Sequence, residues 1–561
     1  MLLIFLSWLV TASIVLAFGS ILVSIWNKIS KKENLFSFFD IFWIGLSAVS
    51  TFTIIISLFF PLNIYILLLF IAIAVGYWIV CYPKLFLLCR SALTFFRSLS
   101  VWTKIALFLV FFVICLLSVQ PAWLGDYGLY YLQSMMWAEN YSVVPGLGNL
   151  HGRLGFNSSF LLLTTLFSYH PDYFIPVYSL NSLCLLIFSV WLISRIRKDS
   201  SLFYIVAVLG IFVSIISVFG VISTSFSTDI LAGIAILYAL LSVVLDADKN
   251  IGDRILPLVV VSMFCITLKL SVLPIILIPL YIFLTLLKRK TYKPLLFLLL
   301  FSCLIIIPWC LRFVIQTGYL IYPLASVDIF SFDWKMPAEL LIEERNWAYS
   351  WARIPNMDSA KVLSMPFKEW VPLWIGNLSY KELFLYSLLL VSPIILCFSF
   401  KKLKESFPVL LVWIIAILGS AFVFYTAPAI RFGFGFILSA GFIPLLLLQS
   451  KFSHIKYIRI IPFALFLLFV LNFSRKEIFR MQNYFPHVEA WYSVFYKPQS
   501  LQFYEDGINP EFSEYKIGNT IIYKVTNSDQ CFDQCLPCTP YLNDNLEMRG
   551  ESLQDGFRIR P

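Results

Sequence analysis

Five short stretches carry ionisable side chains where an apolar chain would not place them without reason. In WLGDYGLYYLQSMMWAENYSVVPGLGNLHGRLGFNSS (123–159) an acid, a histidine and an arginine, Asp126, His151 and Arg153, stand among aromatics and glycines. FSTDILAGIAILYALL carries Asp229 where an apolar run begins, TLKLSVLP carries Lys269, Arg312 lies just before TGYLIYP, and APAIRFGFG carries Arg431. Carboxylate, imidazole, ammonium and guanidinium are the groups that move protons and hold anions. Ionisable groups at membrane depth are costly, which makes each a candidate for function.

The elements that must position them are membrane helices. Of the 561 residues, 60% are hydrophobic and 13% charged, and the mean hydropathy is +0.87. A soluble chain of this length could not hide that much apolar surface. The runs have the length of helices, not of barrel strands. They fall near 2–26, 41–60, 64–82, 105–122, 174–193, 201–223, 230–247, 255–271, 272–287, 294–311, 384–400, 408–426, 431–449 and 457–473, about 14 transmembrane helices if each spans. The fold class expected is therefore an all-α polytopic membrane protein with outer-face juxtamembrane helices and a small soluble C-terminal tail. The net charge of +10 implies no nucleic-acid partner, because most basic residues lie in short turns that set orientation. Placing the N-terminus outside puts Lys28, Lys31, Lys84, Arg90, Arg97, Lys104, Arg195, Arg197, Arg254, Lys288, Arg289, Lys401, Lys402 and Lys451 inside. It leaves Arg153, Lys269 and Arg431 in the short outside loops.

Three outer pieces follow: 123–173, about 312–383, and the tail after the last run. Residues 127–141 place tyrosines and a tryptophan at helical spacing, the pattern of a helix along the membrane surface with rings at headgroup level. FLLLTTLFSYH is too short to span and reads as an interfacial or re-entrant helix, and ELLIEERNWAYSWARIP (339–355) as an amphipathic surface helix without chemistry. Eight of the eleven cysteines lie in or beside apolar runs, where a thiol behaves as a small hydrophobe. Cys531, Cys535 and Cys538 in CFDQCLPC suit one disulfide and one spare thiol in an oxidising compartment, with the pairing open. A metal there lacks a fourth ligand, the histidine nearest in sequence being His487.

Each candidate also has a plainer reading. Asp126 and Asp229 suit helix N-caps. Arg312, Arg431 and Lys269 suit snorkelling to headgroups, or for Lys269 a pair with Asp229. His151 suits loop packing, and Glu139 a solvated helix face.

The order of these features resembles the GT-C glycosyltransferases, among them the protein O-mannosyltransferases and the aminoarabinose transferase of lipid A. The shared features are an outward loop opening with an acid after an in-to-out span, a juxtamembrane helix, a glycine-rich turn, and a second acid at the start of a later span. The resemblance covers roughly residues 105–450. It divides the chain into extra N-terminal transmembrane helices (1–104), a GT-C-like core (105–450), a last span (451–473) and an extracytoplasmic tail (474–561) like those of bacterial membrane proteins with the same core. Two departures leave metal use and donor class open: three spans precede the matching one, and Asp126 lacks an adjacent acid.

The resemblance implies transfer of a sugar from a polyprenyl-phosphate carrier to a glycan, lipid or protein hydroxyl on the outer face of a bacterial inner membrane, with membrane lipids as surroundings and a divalent metal open as cofactor. A positioned carboxylate accepting the hydroxyl proton is worth ~10²–10⁴ in rate, and Asp126 is the candidate base, with Asp229 across from it. Arg312, Arg431 and Lys269 are candidates to neutralise the leaving phosphate, with His151 and Arg153 beside acceptor or phosphate. A transporter or flippase of lipid-linked glycans would instead show repeats and charges inside spans, and neither stands out. A surface-glycan polymerase would also have a large outer loop, here 312–383 with Arg345 and Arg353.

Overall fold

Apolar segments shielded from water must satisfy their own backbone, and this chain does so with helices. The computed structural model describes residues 1–31, 36–120, 125–168, 177–197, 199–246, 254–398, 407–448, 460–484 and 510–560. The basic turns at 401–404 and 451–459, the first two residues of the 123–159 stretch, and His487 lie outside the described residues. Helices α1 (Leu2–Ser30), α2 (Phe38–Ser57), α3 (Ile64–Val80), α4 (Tyr82–Ser98) and α5 (Val101–Ser118) precede the opening loop. The loop holds a π-turn (Tyr127–Tyr131), α6 (Leu132–Asn140), α7 (Leu147–Leu150) and a 3₁₀ turn (Gly152–Gly155). Next come α8 (Ser159–Phe167), α9 (Leu180–Ile193), α10 (Leu202–Phe219), α11 (Thr228–Leu245), α12 (Ile255–Leu268), α13 (Leu277–Lys288) and α14 (Tyr292–Thr317). The second loop contributes α15 (Ala338–Arg353), α16 (Ser359–Ser364) and α17 (Phe367–Asn377). The last helices are α18 (Tyr380–Cys397), α19 (Phe407–Thr426), α20 (Phe434–Leu447) and α21 (Ile460–Tyr484).

Each apolar run read from the sequence falls on a helix. Nine helices among the described residues are long and apolar enough to cross a membrane, or ten if the bent pair α3–α4 counts as one span. The count falls below fourteen partly because α9, α12 and α20 have 14 residues each, about 21 Å of helix against a hydrocarbon core of ~30 Å. Helix α4 turns 89° away from α3, buries none of its residues and carries only basic charges, Lys84, Arg90 and Arg97.

The first two helices are built into the bundle. Gly19 and Gly45 let α1 and α2 touch backbone to backbone: a Cβ on Gly19 would lie 2.0 Å from the Ile41 carbonyl oxygen, and one on Gly45 1.8 Å from that of Val15. Small residues at such crossings are how helices gain contact where lipid removes the hydrophobic drive. Helix α2 also packs on α8, α12 and α14.

Its first turn holds Asp40, which closes a capping box with Ser37 and joins a buried ionic group. Arg254, at the head of α12, reaches Asp40 at 3.1 Å and also pairs with Asp246, past the end of α11. Arg195 meets Asp246 at 2.7 Å, and the Tyr238 hydroxyl donates to Asp40 at 2.6 Å. Basic residues counted from the sequence as orientation signals thus also tie together the ends of α2, α9, α11 and α12.

The opening loop departs from the expected surface helix. Tyr127, Tyr131 and Trp137 are 0%, 1% and 3% exposed, so their rings face protein and not headgroups. The tyrosines pack against the 225–228 segment, and Trp137 lies under a cover built by the tail. The membrane part is all-α as expected, and the tail adds β1 (Phe512–Ile517), β2 (Thr520–Val525) and β3 (Cys538–Thr539) in one sheet, and β4 (Leu546–Met548) and β5 (Phe557–Ile559) in another. The Phe532 amide donates to the Gly128 carbonyl at 2.9 Å, and the Gln133 amide donates to the carbonyls of Phe532 and Cys535 at 2.9 Å each. The Phe557 amide donates to the Pro145 carbonyl at 3.0 Å. A disulfide joins Cys531 to Cys538 and leaves Cys535 as the spare thiol. The short run after the turn forms α8, buried along its whole length.

Removing one member of a buried ionic group strands the others, at a typical cost of about 3–5 kcal/mol. Arg254→Met, which leaves Asp40 and Asp246 buried beside an apolar chain, is expected to lower the melting temperature and folded yield in detergent sharply. Lys31→Ala, exposed at the end of α1, is expected to leave both unchanged.

Candidate functional site

The Asp229 end of α11 is where distant loops converge. Helix α5 is followed by the π-turn, whose start carries Asp126; such π-bulges accommodate side chains a regular helix would misplace. The turn is stitched to the segment before α11: the Tyr127 hydroxyl donates to Ser225 Oγ at 2.5 Å, Tyr131 Oη and Thr228 Oγ1 lie 3.0 Å apart, and the Tyr127 ring stacks on Phe226 at 4.1 Å. Asn181 of α9 holds the same segment through the carbonyls of Ser225 and Ser227. These bonds fix Asp126 against Asp229, which lies in the first turn of α11 and is 4% exposed. Gly128 belongs to this assembly because a Cβ there would come within 2.6 Å of Gln530 and Phe532 of the tail.

One guanidinium joins the two acids. Arg431 comes from the short turn Ile430–Phe432 between α19 and α20. Its Nη1 lies 3.2 Å from Asp126 Oδ2, and its Nε lies 3.8 Å from Asp229 Oδ2. Lys269, in the extended residue between α12 and the 3₁₀ run Leu270–Ile276, pairs with Asp229 Oδ1 and sits 3.7 Å above the Phe432 ring. Arg153, from the glycine-rich turn, lies 3.5 Å from Asp126 Oδ1 and 3.6 Å from Glu344 Oε2. Gly152 leaves space for that acid, since a Cβ there would stand 2.7 Å from Glu344 Oε1.

Helix α15 roofs the group. Glu344, Trp347 and Trp351 follow one another at helical spacing on one face: Trp347 stacks under Arg153 at 3.9 Å and Trp351 under Arg431 at 4.7 Å. The sequence reading gave this helix no chemistry. The signal it passed over was an acid followed by tryptophans three and seven residues later, a face that suits cations as well as it suits a membrane surface.

Three cations and three carboxylates thus lie in one group at the bundle's end. Among the described residues, groups of three or more His, Cys, Asp or Glu that could hold a metal ion are absent. Burial holds the Glu344 carboxyl above its usual range, with Arg153 opposing the shift. Arg431 is the reverse case: burial would lower its pKa, but Asp229 and then Asp126 outweigh that and hold it above the usual guanidinium range.

Of the residues singled out from the sequence, Asp126, Asp229, Arg153, Lys269 and Arg431 come together. His151 stands beside them without joining: it is buried, its Nε2 has no partner among the described residues, and its ring lies 6.1 Å from that of Tyr541. Burial first, and then the charge of Arg153, push its pKa down to about 3. Arg312 stands apart, bonded to Asn157 and Ser57.

Fold and site together define a polytopic helical protein of membrane character with a balanced ionic centre at one end of its bundle. The chain belongs to the family described as Domain of unknown function (DUF8201), whose model matches residues 1–438. That match takes in every member of the ionic centre and ends before the strands of the tail. No curated protein and no solved structure matches the chain.

A histidine kept neutral in the fold and free to protonate when unfolded destabilises the fold as pH falls. The effect begins near the unfolded value of about 6.5 and grows by about 1.4 kcal/mol per pH unit until the folded value is reached. The stability is therefore complete above pH ~7 and lost toward pH 3. His151→Gln is expected to flatten the acid side of a melting-temperature profile between pH 6.5 and 4, measured on purified protein.

Proposed function

We propose that the ionic centre transfers a sugar from a polyprenyl-phosphate carrier to an acceptor hydroxyl. The observation that carries this reading is the bridging of Asp126 and Asp229 by Arg431, with Lys269 on the far oxygen of Asp229. The acceptor oxygen attacks the anomeric carbon as the bond from that carbon to the phosphate oxygen breaks. The proton of the hydroxyl passes to Asp126, whose side chain is 17% exposed and so within reach of a ligand. The electron pair leaves with the lipid phosphate, whose growing charge is met by Arg431 and Lys269. Fixed charges aimed at the place where charge develops are the largest single source of rate enhancement in many enzymes. Asp229, buried beneath them, positions both cations. The two acids that would offer themselves to a divalent ion both face Arg431 instead, and the step draws its positive charge from the protein's own side chains.

The same reading sets the protein in a bacterial inner membrane with about 14 spans, its N-terminus, ionic centre and tail on the periplasmic side, and a polyprenyl-phosphate-linked sugar and a glycan, lipid or protein hydroxyl as partners. It is preferred over a flippase because the ionic centre is gathered at helix ends and turns, where a transporter's site lies near the bilayer midplane.

Asp126→Asn keeps the shape and removes the base. Expected is a fall in transfer of about 10²–10⁴-fold, seen as loss of one sugar from the surface-glycan mass profile at equal protein level in the membrane. An unchanged profile, or accumulation of an intact lipid-linked glycan in Asp126→Asn and wild type alike, would overturn the assignment and favour transport or polymerisation.

A further inference from the structure

Helix α4 leaves α3 at 89°, so with α3 across a membrane α4 runs along its surface. It lies at the end of the bundle opposite the ionic centre. The Phe95 ring meets that of Phe39 at 6.0 Å, beside Asp40 and the ionic group at the Asp246 end of α11. The Lys84 ammonium donates to Ser24 Oγ of α1 at 2.9 Å. These contacts settle which side of α4 faces the protein. Leu88 and Phe95 are half-buried against the core, and every other position of the helix is exposed.

The exposed side is sorted by chemistry. Leu85, Phe86, Leu93 and Phe96 are 38%, 64%, 50% and 50% exposed. At about 100° per residue they fill one sector next to Leu88 and Phe95, and Arg90 and Arg97, seven residues apart, border that sector on its far side. Ser91, Thr94 and Ser98 complete the polar side. No acid stands between Asp40 and Asp126 in the sequence, and Arg90 and Arg97 have no carboxylate partner among the described residues. An apolar sector bordered by arginines suits a lipid surface of negative charge: the apolar side chains enter the acyl boundary while the guanidiniums stay among the headgroups. The sector also continues exposed apolar helices on both sides, Ile79 and Val80 at the end of α3 and Val101 and Trp102 at the start of α5. That continuity favours a bilayer over a water-soluble acidic partner.

We infer that α4 is an interfacial helix that binds the negatively charged headgroups of one leaflet, with Arg90 and Arg97 as the pair that senses their charge. The surface is remote from the ionic centre and does not depend on the transfer reading.

The test places the full-length protein in nanodiscs of phosphatidylcholine alone, or of phosphatidylcholine and phosphatidylglycerol in equal parts, and follows amide hydrogen exchange in peptides covering 82–98. Each basic residue at an anionic surface is worth about a factor of five in binding. Exchange is therefore expected to slow by about tenfold or more when phosphatidylglycerol is present, and the difference to shrink at high salt. Arg90→Gln/Arg97→Gln should exchange at the same rate in both compositions, and Leu93→Gln/Phe96→Gln should exchange faster than wild type in both. Because α4 buries none of its residues, these changes should leave the melting temperature and the exchange of α2 as they are. Equal exchange of wild-type 82–98 in the two compositions, or an anionic-lipid effect that survives in Arg90→Gln/Arg97→Gln, would overturn the proposal. Rapid exchange in both compositions would overturn it too, and leave the helix to an acidic protein partner.

Discussion

Helix α11 is buried along nearly all of its length, and it ends in a carboxylate on both sides. Asp229 in its first turn and Asp246 just past its last are 4% and 6% exposed, separated by about 26 Å of helix. Neither charge can remain there uncompensated, because an isolated buried carboxylate costs more than a protein's whole margin of stability. Cations must therefore be delivered to both ends, and α11 cannot supply them itself. At one end they arrive from the segments after α9 and before α12; at the other they come from the break after α12 and the turn after α19. The bundle is arranged so that these loops meet.

The consequences spread outward from the Asp229 end. Arg431 has more hydrogen-bonding capacity than Asp229 can take, and it reaches a second acid, Asp126. Asp126 in turn engages Arg153, and Arg153 engages Glu344. Each step recruits a further loop, so that segments hundreds of residues apart in sequence share one electrostatic group. The aromatic rings of Trp347, Trp351 and Phe432 cover the cations without adding charge. Such faces favour guanidinium and ammonium while shielding them from water, which raises the worth of every charge beneath them.

Much of this was legible in the chain. Apolar runs gave the helices, since run length is a local property. Asp126, Asp229, Arg153, Lys269 and Arg431 stood out because each is an ionisable group where an apolar environment begins or ends. What escaped depends on contacts between distant segments. Glu344 reads as one charge among several on a surface helix, because the tryptophans that follow it at helical spacing suit a membrane surface as well as they suit cations. Tyr127 and Tyr131 have the spacing of an interfacial helix, yet the 225–228 segment packs against both and Phe532 of the tail bonds to Gly128 between them. Arg254 and Arg195 satisfied an orientation rule so well that their ionic role with Asp40 and Asp246 was hidden behind it. Arg312 groups with the other cations in the sequence because it too lies at the edge of an apolar run, which says nothing about which side of a turn a side chain lies on.

The balance of three cations against three carboxylates constrains how the ionic centre can work. A neutral group exerts little net pull on an anion at a distance, so on the transfer reading a phosphate would gain only by replacing one of the existing pairs. Arg431 is the member able to do this without stranding Asp229, because Lys269 still neutralises the buried acid when Arg431 turns away. Its reach to Asp229, at 3.8 Å, is longer than its bond to Asp126, at 3.2 Å. On the transfer reading, the anion that draws off Arg431 is also what leaves an oxygen of Asp126 open to a hydroxyl proton. Base and leaving-group site are then coupled through a single guanidinium, and an empty centre keeps its carboxylate occupied.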